Sequence, residues 1–217
     1  MAIIRHTYEG QLLELRKDIR RLGLRIFSLI QQSVSVLSDQ DINHARAVVK
    51  KDTVINRLDH DINVQVIMLI TKQQPIATDL RLMIAALKIS SEFERIGDNA
   101  ANIAQIRKRV KFTDNYILMR LDTMGKLAML MLKDLNTAVR EDDITLIKEI
   151  IIRDEDIDDL FKDIINTTYL IDNDPFVAAQ AHLAARYLER IGDHIANISE
   201  HIYYYMTGER YESYDKN

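Results

Sequence analysis

The chain is 217 residues long, 47% apolar and 29% charged, with six glycines, two prolines and no cysteine. Such a composition can bury a core; it excludes a disordered chain, turn-rich β structure, disulfides and thiolate metal sites. A net charge of −4 with both signs interspersed excludes the basic footprint of a nucleic-acid-binding surface.

The first residues, Met1 to His6, hold no long apolar run, so no signal peptide is visible. The longest apolar runs, Val66 to Ile70 and Leu127 to Leu132, are far short of the ~20 residues that span a bilayer. A soluble and, by default, cytoplasmic protein is expected.

The first predicted helix covers residues 7–37. Leu12, Leu15, Ile19, Leu22, Ile26, Leu29, Ser33 and Val36 recur at steps of three and four, the mark of a buried stripe. Residues 38–41 are a polar break. A second helix, 42–72, carries Ala45, Val48, Ile55, Ile62, Val66 and Leu69. Pro75 suits the start of a third helix, 76–110, with Leu82, Ala86, Ile89, Phe93, Ile96, Ala100 and Ile103. That unbroken alternation of four and three is bundle packing. Arg107, Lys108, Arg109 and Lys111 at its end are expected to offset helix-end carbonyls.

The chain then begins again. Helices are predicted over 116–139, 144–170 and 176–207. Asp172 to Pro175 open the last one, and Gly208 closes it. An offset of 102 aligns Leu22-Gly23 with Met124-Gly125, and Asp52, Ile55, Leu58 with Asp154, Ile157, Leu160. On the last helix of each half the offset is 95, so the second half has lost seven residues around its second hairpin. The loss equals one heptad and keeps the apolar seam in phase. The expected fold is all-α: six helices in two tandem three-helix bundles, residues 1–111 and 112–217. Gly23 pairs with Gly125 and Gly97 with Gly192. All fall inside helices, where Gly costs about 1 kcal/mol relative to Ala, so close packing or a close ligand is expected at each.

The strongest repeat is Glu94-Arg95-Ile96-Gly97-Asp98-Asn99-Ala100-Ala101-Asn102-Ile103. It matches Glu189-Arg190-Ile191-Gly192-Asp193-His194-Ile195-Ala196-Asn197-Ile198 at eight of ten positions. On a helix, Glu, Asp and Asn at i, i+4 and i+8 form one polar stripe. Two carboxylates at i, i+4 repel. Glu94/Asp98 does this, as do Glu189/Asp193 and Asp154/Asp158; Asp52/Asn56 is the same pair with one charge replaced by an amide. Near a core the repulsion grows, and something positive must offset it. Arg95 and Arg190 lie about 100° around the helix and are better placed for a neighbouring helix. A hard cation is the other solution: Mg, Mn, Ca or iron, one site per half. Solvated acidic faces with interhelical Arg bridges give the same pattern. His201 continues the second stripe, as a surface histidine or an extra ligand. Neither Glu94 nor Glu189 has a His three residues on, which disfavours a ferritin-like oxidase. No phosphate loop, nucleophile elbow or HExxH is present.

Both Glu-Arg-Ile-Gly-Asp copies belong to a wider set of segments: His6-Thr7-Tyr8 with Leu12-Leu13, Lys51-Asp52 through Asn56 to Asp59, and Gln73-Gln74-Pro75-Ile76-Ala77-Thr78-Asp79-Leu80-Arg81. Together, over nearly the whole length, they resemble the PhoU family. The resemblance implies two three-helix bundles related by a pseudo-twofold. It implies multinuclear metal sites on Glu/Asp-x-x-x-Asp motifs, which fall on Glu94, Asp98, Asp154, Asp158, Glu189 and Asp193. Asp52 matches the fourth motif and Asn56 departs from it, leaving that site short of one charge. The implied ions are divalent or ferric: iron, zinc, manganese or magnesium.

The same resemblance implies a non-enzymatic regulator of phosphate uptake and phosphate-starvation signalling, and a homodimer. Its implied partners are the ATPase of the phosphate ABC transporter and a sensor histidine kinase, with no nucleic acid and no membrane insertion. Two further readings stand beside it: a metal-dependent hydrolase using carboxylate-bound ions, and a metal-free helical scaffold held by Arg bridges.

Overall fold

The computed structural model of the chain describes residues 2–39, 41–171 and 174–212. Within them it is all helical: α1 (Ala2–Ser35), α2 (Ile42–Gln73), α3 (Ala77–Arg107), α4 (Asn115–Glu141), α5 (Ile144–Ile152), α6 (Asp154–Ile171) and α7 (Pro175–Thr207). α5 and α6 are two segments of one rod, so six rods form two three-helix units as expected. Gln40, in the first polar break, and Asp172 and Asn173, before the last helix, lie outside the described residues.

Apolar periodicity places the rods. The six α2 positions at heptad-like spacing are the buried residues of that helix, and all seven positions singled out on α3 are buried. On α1, Leu12 and Ile19 are only partly covered, whereas Leu15, Leu22, Ile26 and Leu29 are fully inside. One continuous core runs through both halves. α3 and α7, the two rods with the repeated decapeptide, pack most extensively on each other at its centre. α1 packs on α4 to complete the junction.

Caps define the rod ends. Asp41, Asp114, Asp143 and Asp174 each accept a backbone N–H of the helix that follows, which satisfies one of the orphan donors at a helix start. Gly208, at φ 81°, closes α7. Of the basic run at the end of α3, Arg107 stands in the last turn and also reaches beyond its own helix. The Arg107 guanidinium donates to the carbonyl oxygen of Asp39, at 3.0 and 2.7 Å, and so ties down the turn between α1 and α2.

The predicted fifth helix, 144–170, is broken at Arg153. No proline or glycine stands there. Ile150, Ile151 and Ile152 are β-branched and weaken the helix slightly, and Asp154, Glu155 and Asp156 are placed to start a new one, where negative charge meets the positive helix end. Arg153 keeps the last rung of α5, its backbone N–H donating to the Glu149 carbonyl at 3.0 Å, while its side chain pairs with Asp134 of α4. The seven-residue loss falls on rod ends. From Asp52, α2 runs on to Gln73, while from Asp154, α6 stops at Ile171; Glu189 likewise lies closer to the start of α7 than Glu94 does to the start of α3.

Candidate functional site

The two helical glycines of the repeat are crossing points. A Cβ on Gly97 would stand 3.0 Å from Ile55 Cγ2 and 3.3 Å from Asp52 Oδ1. One on Gly192 would stand 2.4 Å from Asp154 Oδ1 and 3.0 Å from Ile157 Cδ1. Each Glu-Arg-Ile-Gly-Asp segment therefore leaves room for the Asp and Ile side chains of the preceding rod against its bare glycine. The acid one turn before the crossing isoleucine leans over the bare glycine.

This approach brings carboxylates together. In the second half, burial pushes the Asp154 carboxyl up to about 7, and the negative charges of Asp193, Asp158 and Glu189 add to it. Glu189 is also raised, by burial and then by Asp193, against a weaker pull from Arg186. In the first half, burial and then Asp98 raise Asp52. Burial and then Asp98, Asp59 and Asp52 raise Glu94. Desolvation leads in every case and like charge follows. The expected residues of each half thus do converge, with Asp98 and Asp193 on the exposed side of their clusters and Glu189 buried.

Three carboxylate oxygens of these clusters are buried with no hydrogen-bond partner among the described residues: Asp52 Oδ1, Asp154 Oδ1 and Glu189 Oε2. Such orphans cost stability. A hard cation prefers carboxylate oxygens, so the donor set and the orphaned atoms fit one. Among the described residues, no group of three or more His, Asp or Glu side chains stands as placed where it could hold a metal ion. Asn56 serves Asp52 as a donor, Nδ2 to Oδ2 at 3.3 Å.

Two participants escaped the sequence reading. Asp59, one turn beyond Asn56, faces Glu94 and is held by Ser90 Oγ and by Asn63 Nδ2, the latter at 2.9 Å. It supplies a carboxylate where Asn56 does not. Its equivalent at the offset of 102 is Phe161. The second participant is Arg186, which pairs with Glu189 and lies 5.7 Å from the centre of the Phe161 ring. The arginine that reaches a stripe is therefore one turn before the motif; Arg95 and Arg190 are exposed. The signal for Asp59 was its position seven residues after Asp52, two turns along the same face.

The third member of the second stripe turns away. Asn197 donates to Glu92 of α3 at 3.4 Å, and His194 Nδ1 lies 2.7 Å from the same carboxylate. His201 has Lys88 and Glu92 as its charged neighbours. It belongs to the α3–α7 contact and does not extend the carboxylate cluster.

Comparison with known proteins identifies the family. The family model described as the PhoU domain matches twice, at residues 19–106 and 121–202. A phosphate-specific transport system accessory protein PhoU homolog of Clostridium acetobutylicum is 34% identical over 97% of this chain and 99% of its own length. The accessory protein PhoU of Escherichia coli is 29% identical, covering 93% of this chain and 86% of its own length. Crystal structures of PhoU from Streptococcus pneumoniae and Pseudomonas aeruginosa superpose with TM-scores of 0.86 and 0.83, at 27% and 26% identity. They cover 95% and 93% of this chain and the whole of each neighbour. With both halves matched in sequence and 95% of the chain matched in fold, the chain belongs to the PhoU family.

Proposed function

We propose that this chain is a non-enzymatic, metal-binding regulator of phosphate uptake, an adaptor at the ATPase of the phosphate ABC transporter and at a sensor histidine kinase. The observation that carries the metal part is the pair of glycine crossings, each bringing carboxylates of two rods together around a buried, unpartnered Asp oxygen. The transport part rests on relatives named as accessory or regulatory proteins of phosphate transport. A cytoplasmic homodimer completes the reading. No helix among the described residues is long and apolar enough to cross a membrane, so contact with the transporter would run through its soluble subunit.

Asp52, Asp59, Glu94 and Asp98 would hold ions in the first half, and Asp154, Asp158, Glu189 and Asp193 in the second. A divalent or ferric ion, whether iron, zinc, manganese or magnesium, would supply the positive charge that these carboxylates lack. Around it the protein's own groups set the geometry. Gly97 and Gly192 admit the opposing Asp, Ser90 and Asn63 fix Asp59, and Arg186 fixes Glu189. The bound state would then lock α2 to α3 and α6 to α7. A hydrolase would need a base at an open position, and His201, at the end of the second stripe, is engaged toward α3.

The test is elemental analysis of protein purified without chelator, beside capture of the transporter ATPase. Metal is expected in the wild type and is expected to be lost in the double variant Asp98→Ala, Asp193→Ala. An unchanged content would sink the metal assignment, and failure to capture the ATPase would sink the adaptor.

A further inference from the structure

The pseudo-twofold makes a prediction that the molecule breaks. Where α1 crosses α4, a Cβ on Gly125 would stand 2.7 Å from Val34 Cγ2, so this crossing is closed. The offset of 102 exchanges Gly23 with Gly125 and Val34 with residue 136. A symmetric molecule would close a second crossing, Gly23 against an apolar residue 136. Instead residue 136 is an exposed asparagine, and the bare side of Gly23 faces the Phe93 ring, with Cζ 3.2 Å from where a Cβ would be. Between them the two rods splay, leaving a groove of about 520 Å³.

That volume is within the roughly 300–1,000 Å³ usual for small-molecule sites. The floor reaches down to α3 and α7 through Ala86, Ile89, Phe93 and Ile202, and the lips are Leu24 and Val139, both exposed at 67% and 40%. The polar groups are lopsided. Arg16, Arg20 and Lys133 stand against the single carboxylate Asp142. Arg16 already donates to the Tyr205 hydroxyl at 2.7 Å. Arg20 and Lys133 have no ion-pair partner among the described residues.

We propose that this groove binds a single-chain anionic amphiphile, a long-chain acyl carboxylate. Its chain would lie on the α3–α7 floor and its head between Arg20 and Lys133. The depth argues for a chain. A helix about 10–12 Å across with its side chains could only rest above a slot of this size. The charge argues for an anionic head, because a neutral lipid would leave the cations unused. A second copy packing by a twofold would set the same cations against each other. The site is independent of the carboxylate clusters.

The full-length chain is titrated with palmitate below its micellar concentration, by calorimetry and native mass spectrometry. One palmitate per chain is expected. Asn136→Phe, at an exposed position pointing at the gap, is expected to weaken binding at least about tenfold by filling the slot. The double variant Arg20→Glu, Lys133→Glu is expected to weaken palmitate about tenfold, while the uncharged glycerol monoester of the same chain binds as before. Absence of one-to-one binding, or equal palmitate affinity in either variant, would overturn the proposal. So would a dimer abolished by Leu24→Glu in a chain that does not take up palmitate.

Discussion

Asp52 sits in the middle of an unbroken α2, whereas its counterpart Asp154 opens α6 after the break at Arg153. Around them the backbone frame is the same: an Asp over a helical glycine, an isoleucine one turn on, a Glu-Arg-Ile-Gly-Asp segment opposite. The side chains around the frame are exchanged as a set. The first half has Asn56, Asp59 and Ser91; the second has Asp158, Phe161 and Arg186 at the equivalent places. Each half thus holds four carboxylates, but among the described residues only the second has one of them in an ion pair, Glu189 with Arg186. Charge can be conserved at a site while its placement moves by a turn, provided the new position lies on the same helix face. Burial leads in both. Asp154 is raised to about 7 with like charges all adding to it, while Asp52 is raised by burial and Asp98 against the pull of the Asn56 hydrogen bond.

The sharpest way to break this comparison is to remove one half at a time. Asp154→Ala with Asp193→Ala is expected to abolish the metal of the second half and leave that of the first, and Asp52→Ala with Asp98→Ala the reverse. Metal per chain measures both. If either pair empties both halves, the sites are coupled and the comparison fails.

The crossings come next in size. Gly125→Ala drives a methyl into Val34, whose rotamer is stiff in a helix, and is expected to cost about 2 kcal/mol in urea unfolding. Gly23→Ala meets only the rim of the Phe93 ring beside an open groove. It is expected to be neutral or to gain up to about 1 kcal/mol from helix propensity.

A pH series sharpens the contrast. Folded Asp154 keeps its proton up to about pH 7, while an unfolded Asp releases it near its ordinary 3.8. The folded state therefore binds more protons between these values, and the metal-free protein loses stability as pH rises from about 4 to about 7. Thermal unfolding of chelated protein is expected to show this fall. Asp154→Asn should flatten it more than Asp52→Asn does; equal flattening would mean the two halves titrate alike. The smallest effect is that of Asn56→Asp. It adds a like charge at i+4 from Asp52 and is expected to cost a few tenths of a kcal/mol without metal. With metal it should strengthen retention in the first half alone, as read by competition with a chelator.

Much of the molecule was written in periodicity. The spacing of apolar residues fixed which face of each rod is buried. The twin decapeptides place Glu94, Asp98, Glu189 and Asp193 at the edge of the core, and the offset of 102 pairs Asp52 with Asp154. A repeat specifies a face and a register because a helix has one period. Which side chain meets which across two helices depends on their crossing and separation, and these follow from packing of the whole core. Tertiary structure therefore decided that Asp59 joins Glu94, that Arg186 and not Arg190 reaches Glu189, and that Asn197 and His201 face α3. It also decided that one of two equivalent glycine crossings closes and the other stays open, since Val34 fills the first and Asn136, polar and solvated, leaves the second.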